Sequence, residues 1–458
     1  MERAQGMTHT HAVVLGGSMA GLLTARVLTE HFERVTIVER DSPTGGWTGD
    51  PHADPREREV RRGVPQGRHA HGLLAAGLNV IERLFPGATR ELAAAGMPTG
   101  DVLGNVRFCA NGYRLKQVPA GMDAVSFSRP YLETWIRSKV FALPGVAVRG
   151  GHDIVGIEAD AARTRVIGAR IQAAGEPAET LTADLVVDAT GKGSRAPRWL
   201  AELGYERPRE ERLQVDLAYV SRPYRVDPAL LDGDIAIIIG PSVAAPRGGA
   251  VMLQEGGRAV ITLFGILGDH SPLDDAGYRA YAKRLPLPYV SDIIEASEPL
   301  AAEAVKYRFP GSTRHRYDRL RRFPQGFVVL GDAMCSFNPM YGQGMSVAGI
   351  EALKLGSLLE RGELDALRFF REVKPVVDIP WQIATGGDAA LPGVQGGPKD
   401  IGTRMVNRYL NRLYAAAEHD EVVSLAFSRV TNLLDPPTAL MRPRIARRVL
   451  GRRRLAAA

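Results

Sequence analysis

Cysteine is almost missing from this sequence: Cys109 and Cys335 are the only two in 458 residues, and no Cys-x-x-Cys pair exists. That excludes a disulfide framework and a cysteine-built zinc site, and it suits a reducing, cytoplasmic setting. Long apolar runs are missing as well. No unbroken stretch nears the roughly 18 residues of a membrane-spanning helix, and the polar opening Met1–Met7 lacks the hydrophobic centre of a secretory signal. A distributed excess of positive charge is the third absence. The formal charge is +7, yet Arg442, Arg444, Arg447, Arg448, Arg452, Arg453 and Arg454 carry all of it; the other 51 basic residues equal the 51 acids. Nucleic-acid binding across the fold therefore has no support in composition. No grouping of His, Asp and Glu has metal-ligand spacing, so no metal is expected.

What is present begins near residue 11. Ala12-Val13-Val14-Leu15 is apolar at every position, as a strand inside a parallel sheet must be. Gly16-Gly17-Ser18-Met19-Ala20-Gly21 follows, then a helical stretch from Leu22 to Glu30 and a β-branched strand over 34–39. This strand–turn–helix–strand order suits phosphate, which approaches backbone N–H groups at a helix N-terminus. Against the pattern Gly-x-Gly-x-x-Gly, Gly16 and Gly21 hold the outer places. Ser18 holds the middle one, where its Cβ crowds a ligand but its Oγ can donate to phosphate. Glu39 lies 23 residues beyond Gly16, near the spacing of an acid that takes ribose hydroxyls, and it disfavours a 2′-phosphate. Gly17, Met19, Ala20 and Arg40 complete the expected contacts. The turn leaves NAD and FAD as alternatives, and a ligand-free tight turn also needs glycine.

Residues 41–68 are polar and rich in Pro, Gly and Arg. The pattern then predicts a helix over 130–142, strands over 145–149, 152–158 and 164–171, and a buried strand Leu185-Val186-Val187-Asp188. An antiparallel sheet is expected over 212–265, with apolar runs at 235–239 and 260–264. Gly326 to Asp332 returns to the parallel-strand style, and helices dominate after 343, broken by the Pro/Gly-rich stretch 380–398.

The segment Val329-Leu330-Gly331-Asp332-Ala333-Met334-Cys335-Ser336-Phe337-Asn338-Pro339-Met340-Tyr341-Gly342-Gln343-Gly344-Met345 resembles the second FAD fingerprint of flavin monooxygenases of the p-hydroxybenzoate hydroxylase type. The resemblance implies an α/β fold: a Rossmann-like FAD-binding domain of the glutathione-reductase type, an inserted β-rich substrate domain and a helical C-terminus. The expected division is 1–100, 129–205 and 325–370 for FAD, 101–128 and 206–324 for substrate, and 371–458 for the helical end. It implies that Asp332 accepts from ribityl hydroxyls, and that Gly342, Gln343, Gly344 and Met345 bring a helix N-terminus to the flavin. Arg129, in Ser128-Arg129-Pro130, corresponds to an arginine that reaches FAD, and residues around Ile154 and Val155 to those flanking the adenine. Asp188-Ala189-Thr190-Gly191 stands where the family usually has Asp-Gly, a motif tied to pyridine-nucleotide use, and this departure counts against direct NADPH handling; the family resemblance implies NAD(P)H as electron source, directly or through a separate flavin reductase.

A narrower likeness lies in Arg62-Gly63-Val64-Pro65-Gln66-Gly67-Arg68-His69-Ala70-His71 and in Pro380-Trp381-Gln382 to Gly386. Both are similar to segments of actinomycete flavin epoxidases of polyether biosynthesis and of squalene-epoxidase-like relatives. This implies olefin epoxidation of a lipophilic polyketide or terpenoid, through a flavin C4a-hydroperoxide, with Arg62 near FAD and Gln66, His71 and Pro339 near the flavin ring. His69 and His71 either donate to flavin or peroxide, or are exposed or capping loop residues. Two alternatives share the pattern: a reductase or desaturase of the geranylgeranyl-reductase kind, and a non-catalytic nucleotide-binding protein. Halogenase relatives carry Trp-x-Trp-x-Ile-Pro, which Ile379-Pro380-Trp381 only partly echoes. Trp381 reads as a packing anchor. Met441, Ile445 and Val449 form an apolar stripe among arginines, which suits a docked terminal helix better than a membrane-surface one.

Overall fold

The computed structural model describes residues 9–42, 61–391, 393–396 and 401–451. Most of the 41–68 stretch (43–60) and Arg452, Arg453 and Arg454 lie outside these residues. A five-stranded, all-parallel sheet runs in the order Phe327–Val329, Leu185–Asp188, His9–Leu15, Phe32–Glu39, Val146–Gly150. Residues 12–15 and 185–188 are fully buried, which is why both runs are apolar without alternation until the closing Asp188. Helices Met19–Leu28 and Gly344–Glu360 pack together on this sheet, Gly349 and Gly356 admitting Leu23 and Val27.

A second, nine-stranded sheet is mainly antiparallel. Its long central strand Glu210–Arg225 pairs with Arg258–Gly265 on one side and Val305–His315 on the other. Within 212–265 every pairing is antiparallel, as expected, Ala236–Ile239 lying against Arg247–Gln254; the unforeseen feature is that Ala236–Ile239 also pairs in parallel with Val106–Ala110, a strand delivered from far upstream. The expected break over 380–398 is corrected. Helix Ala366–Ala389 runs through Pro375 and Pro380 and ends only at Ala390. Each proline deletes one intrahelical hydrogen bond, but Phe369, Phe370, Val373, Val377, Pro380 and Ala384 are buried along one face and hold the helix. Trp381 is half-buried against the main core, a packing position.

At the C-terminus, helix Pro443–Gly451 buries Ile445 and Val449 against Leu413 and Phe427, and Arg448 pairs with Asp420. Met441 departs from the expected stripe: it precedes the helix and is 59% exposed. Among the described residues, no helix is long and apolar enough to cross a membrane.

Candidate functional site

At the carboxyl ends of the parallel strands lies a cleft of about 460 Å³, where open α/β sheets bind ligands. Two segments far apart in the chain meet there. Gly16, Gly17, Ser18, Met19 and Ala20 form one wall, and Asp332, Gly342, Gln343, Gly344 and Met345 form another. Glu39, Arg40, Gln66, His71, Arg129 and Pro339 also line it.

Three predicted contacts fall elsewhere. Gly21 is buried behind the turn, where a Cβ would collide with the Gly16 carbonyl oxygen, so its glycine serves helix–strand packing. Arg62 is exposed outside the cleft, and its neighbour Arg61 turns inward. Val155 gives way to Asp153 and Ile154: it is the unpaired residue of the bulge between Ile154 and Gly156, where the regular alternation is interrupted.

The helix beginnings are built to receive a ligand. Helices starting at Arg129, Asp275, Ala366 and Glu421 each have an N-terminal amide capped by a Ser or Asp side chain. Helices Met19–Leu28 and Gly344–Glu360, whose first residues line the cleft, have no side-chain cap, as is also true of the helices starting at Ala75, Ala88, Ala196 and Tyr289. The amides and positive dipole ends of the first two face the cavity. Ser18 does not cap because its Oγ donates to Glu133 Oε2 (3.1 Å) and accepts from Arg129 Nη2 (3.0 Å); the expected Ser18-to-phosphate donation is thus replaced by an internal bond. Arg129 is likewise held by Glu133, at 2.9 and 3.1 Å.

Beneath the glycine turn lies a charge network that sequence reasoning missed. Arg61 Nη2 meets Glu39 Oε2 at 2.6 Å, Nε meets Asp41 at 3.1 Å, and Nη1 bonds the Gly17 carbonyl (3.1 Å) and Glu133. Glu39 also accepts from Gly17 N–H at 2.8 Å, so it fixes the turn as well as facing the cleft. Glu133 receives Arg61, Arg129 and Arg137; burial opposes its charge, but the three guanidiniums hold its carboxyl down at about 2.

Across the cleft, the Asp332 side chain is exposed to the cavity and has no hydrogen-bond donor among the described residues; the surrounding protein still desolvates its carboxyl and pushes it up, against the charges of Lys192 and Arg129. Glu351 accepts the Gly331 amide at 2.6 Å and so holds the turn that presents Asp332. Gln343 is 2% exposed, and its Oε1 is unpartnered. An acid awaiting donors between two uncapped helix starts fits a dinucleotide bearing ribose-type hydroxyls and a diphosphate. Asp188 is spent differently: fully buried, it accepts from Thr190 and Ser194 and shapes its own turn. Lys192, from that turn, reaches the cleft, bonding the Gly311 carbonyl (3.2 Å) 4.1 Å from the Phe309 ring centre.

His69 and His71 are neither surface nor capping residues; both line the cleft. His71 Nδ1 faces the His69 carbonyl at 2.9 Å, which can only accept, so that nitrogen carries the proton. Burial lowers the ring to about 3, leaving Nε2 a bare acceptor. The expectation that His71 donates is corrected on this ground. His69 Nδ1 lies 2.7 Å from Ser221 Oγ, which lies 2.6 Å from Thr262 Oγ1, which accepts from Ala70 N–H at 3.0 Å. In the direction in which Thr262 donates to Ser221 and Ser221 to His69, every proton in the chain is used and His69 carries its own on Nε2; in the opposite direction His69 donates from Nδ1. Burial holds this ring down at about 4, so it stays neutral. Tyr219, Tyr307 and Phe309 complete an aromatic wall beside it.

Outside the cleft, Glu30, His31 and Glu360 bring ligand-type atoms within 4.8 Å of one another, a grouping that sequence spacing did not show because Glu360 arrives from another helix. The glutamates are exposed, and such pairs are common without an ion.

Protein Rv3254 of Mycobacterium tuberculosis is 32% identical over 455 residues, covering 94% of this chain and 91% of that protein. The chain belongs to the Rv3254 family. No family model matches it. Solved structures share its fold across nearly the whole length. A flavoprotein/dehydrogenase from Cytophaga hutchinsonii superposes with a TM-score of 0.67 at 14% identity, covering 95% of this chain and 96% of that one. HpxO of Klebsiella pneumoniae, solved with FAD and uric acid, gives 0.62 at 18%, covering 95% and 100%. PqsL of Pseudomonas aeruginosa, a probable FAD-dependent monooxygenase, gives 0.62 at 17%, covering 84% and 97%. This Rv3254-family chain therefore has the α/β flavoprotein fold that its glycine segments implied.

Proposed function

We propose that the protein is an FAD-dependent monooxygenase that epoxidises an olefin in a lipophilic polyketide or terpenoid. The observation carrying the reading is the pair of uncapped helix N-termini facing one cleft with an undonated Asp332 between them. The flavoprotein folds of HpxO and PqsL agree with it. In this reading, the Gly16–Ala20 amides take the diphosphate, Asp332 takes ribityl hydroxyls, and the Gly342–Met345 amides meet the flavin edge. Bound FAD would supply electron storage and oxygen activation, with NAD(P)H, direct or through a reductase, as the source of electrons.

The chain's own part is to bind, orient and keep the site dry. The second sheet would be the substrate domain, its Tyr219, Tyr307 and Phe309 forming an apolar wall against water. With its proton on Nε2, neutral His69 would donate from that atom and neutral His71 accept at Nε2, orienting polar groups without adding charge.

Replacing Asp332 with Ala is expected to weaken FAD retention by about 1.5–3 kcal/mol, the worth of hydrogen bonds to a charged group. Equal visible absorbance per chain in both proteins would refute the assignment. Mixing the reduced holoprotein with O₂ should give a transient absorbance unlike either reduced or oxidised flavin. With an olefin substrate, isotopic O₂ should leave one labelled atom in the product. Direct return to oxidised flavin would favour the reductase reading, and no FAD binding at all the non-catalytic one.

A further inference from the structure

Helix Ala366–Ala389 ends on a buried acid that does not itself line the cleft. Asp388 is 0% exposed. Its Oδ1 accepts from Asn338 Nδ2 and from the Tyr341 hydroxyl, each at 3.0 Å, and its Oδ2 lies 3.1 Å from Asn338 Nδ2. Asn338 in turn uses its Oδ1 to accept the Met340 amide at 3.0 Å. Both partners belong to the short turn Pro339–Tyr341 and its flanks, whose Asn338, Pro339 and Gly342 line the cleft. Gly387 makes the fit possible, since a Cβ there would overlap the Tyr341 hydroxyl. Beyond the helix, Leu391 and Val394 pack with Tyr219 and Met340 and keep the contact dry.

The geometry points to Asp388 as a positioning residue that clamps the 338–342 turn and thereby sets the cleft wall against which the flavin rests. The inference depends on the FAD reading above. The clamp works best with the carboxylate ionised, because both partners then donate to it. The titratable groups facing it are tyrosines: Tyr341 from the turn and Tyr219 from the Glu210–Arg225 strand, with Tyr414 standing beyond Tyr341. Burial therefore dominates, raising Asp388 to about 7 while Asn338 and Tyr341 pull the other way. An acid with a raised value loses its proton as pH rises through that value, so the clamp tightens from mildly acidic to mildly basic conditions.

The test is a pH titration of the holoprotein, followed by the visible absorbance of bound FAD and by its dissociation constant. The parent should show a transition near pH 7, with tighter FAD above it. Asp388→Asn should abolish that transition and weaken FAD about tenfold at pH 8. Tyr341→Phe, which removes one donor to the charged form, should move the midpoint to higher pH. A purely structural role would lower stability in both variants without moving the midpoint. A parent with no transition near neutrality, or a Tyr341→Phe midpoint equal to the parent's, overturns the proposal even if Asp388→Asn fails to fold. A parent that binds no FAD overturns the functional reading together with it.

Discussion

Gly16→Val is expected to destabilise the chain strongly, and to abolish FAD retention in whatever remains folded. Gly16 has φ +104°, a conformation that side chains rarely adopt. A Cβ built there lies 2.6 Å from the Ala189 carbonyl oxygen and 3.0 Å from its carbon. Those atoms continue a fully buried strand and cannot yield as a flexible side chain could. Valine adds two methyls to the collision. Backbone strain and overpacking together predict a loss of about 3–5 kcal/mol. A urea titration measures it: the midpoint should fall with an unchanged slope. A midpoint at the parent value would show that the turn has other room.

Glu133→Gln is the second large effect. The 3% exposed carboxylate answers Arg61, Arg129 and Arg137 together. Removing its charge takes away an anion that three guanidiniums share in a dry site, although Arg61 keeps Glu39 and Asp41, and a broken buried pair costs about 3–5 kcal/mol. The same group makes stability pH-dependent. Its value drops from 4.5 to about 2 on folding, so its contribution is complete above about 4.5 and disappears as pH falls towards 2. The parent should thus lose stability through that window, and the Gln variant should lose less there. Equal acid sensitivity in the two proteins would remove Glu133 as the cause.

The residues that were legible in the sequence are those whose task is local. The glycine turn, its preceding apolar strand and Glu39 could be found because a tight strand-to-helix turn needs positive φ and a parallel strand is apolar on both faces. The helix break was misplaced because proline's local cost is visible in a sequence, whereas the buried face that offsets it is not. Arg61 and Arg62 are indistinguishable as letters. Only the packing of the chain beneath the glycine turn selects the first for Glu39, Asp41 and Glu133. Of Ile154 and Val155, the sequence shows no bulge to tell which one faces the cleft. Arg62 beside an inward Arg61, and Glu133 four residues after Arg129, were the signals at hand.

By itself, then, the sequence determined the α/β class, both glycine segments and the acids beside them, since these follow from backbone sterics and short-range periodicity. Only the tertiary structure decided that residues 16–20 and 332–345 share one cleft, that His69 meets Ser221 while His71 meets the His69 carbonyl, and that Asp388 reaches back to Tyr341. Apart from the contact between His71 and His69, each of those facts is a pairing across long sequence separation. Hydrogen-bond direction and burial are properties of neighbours in space, which the order of residues along the chain does not contain.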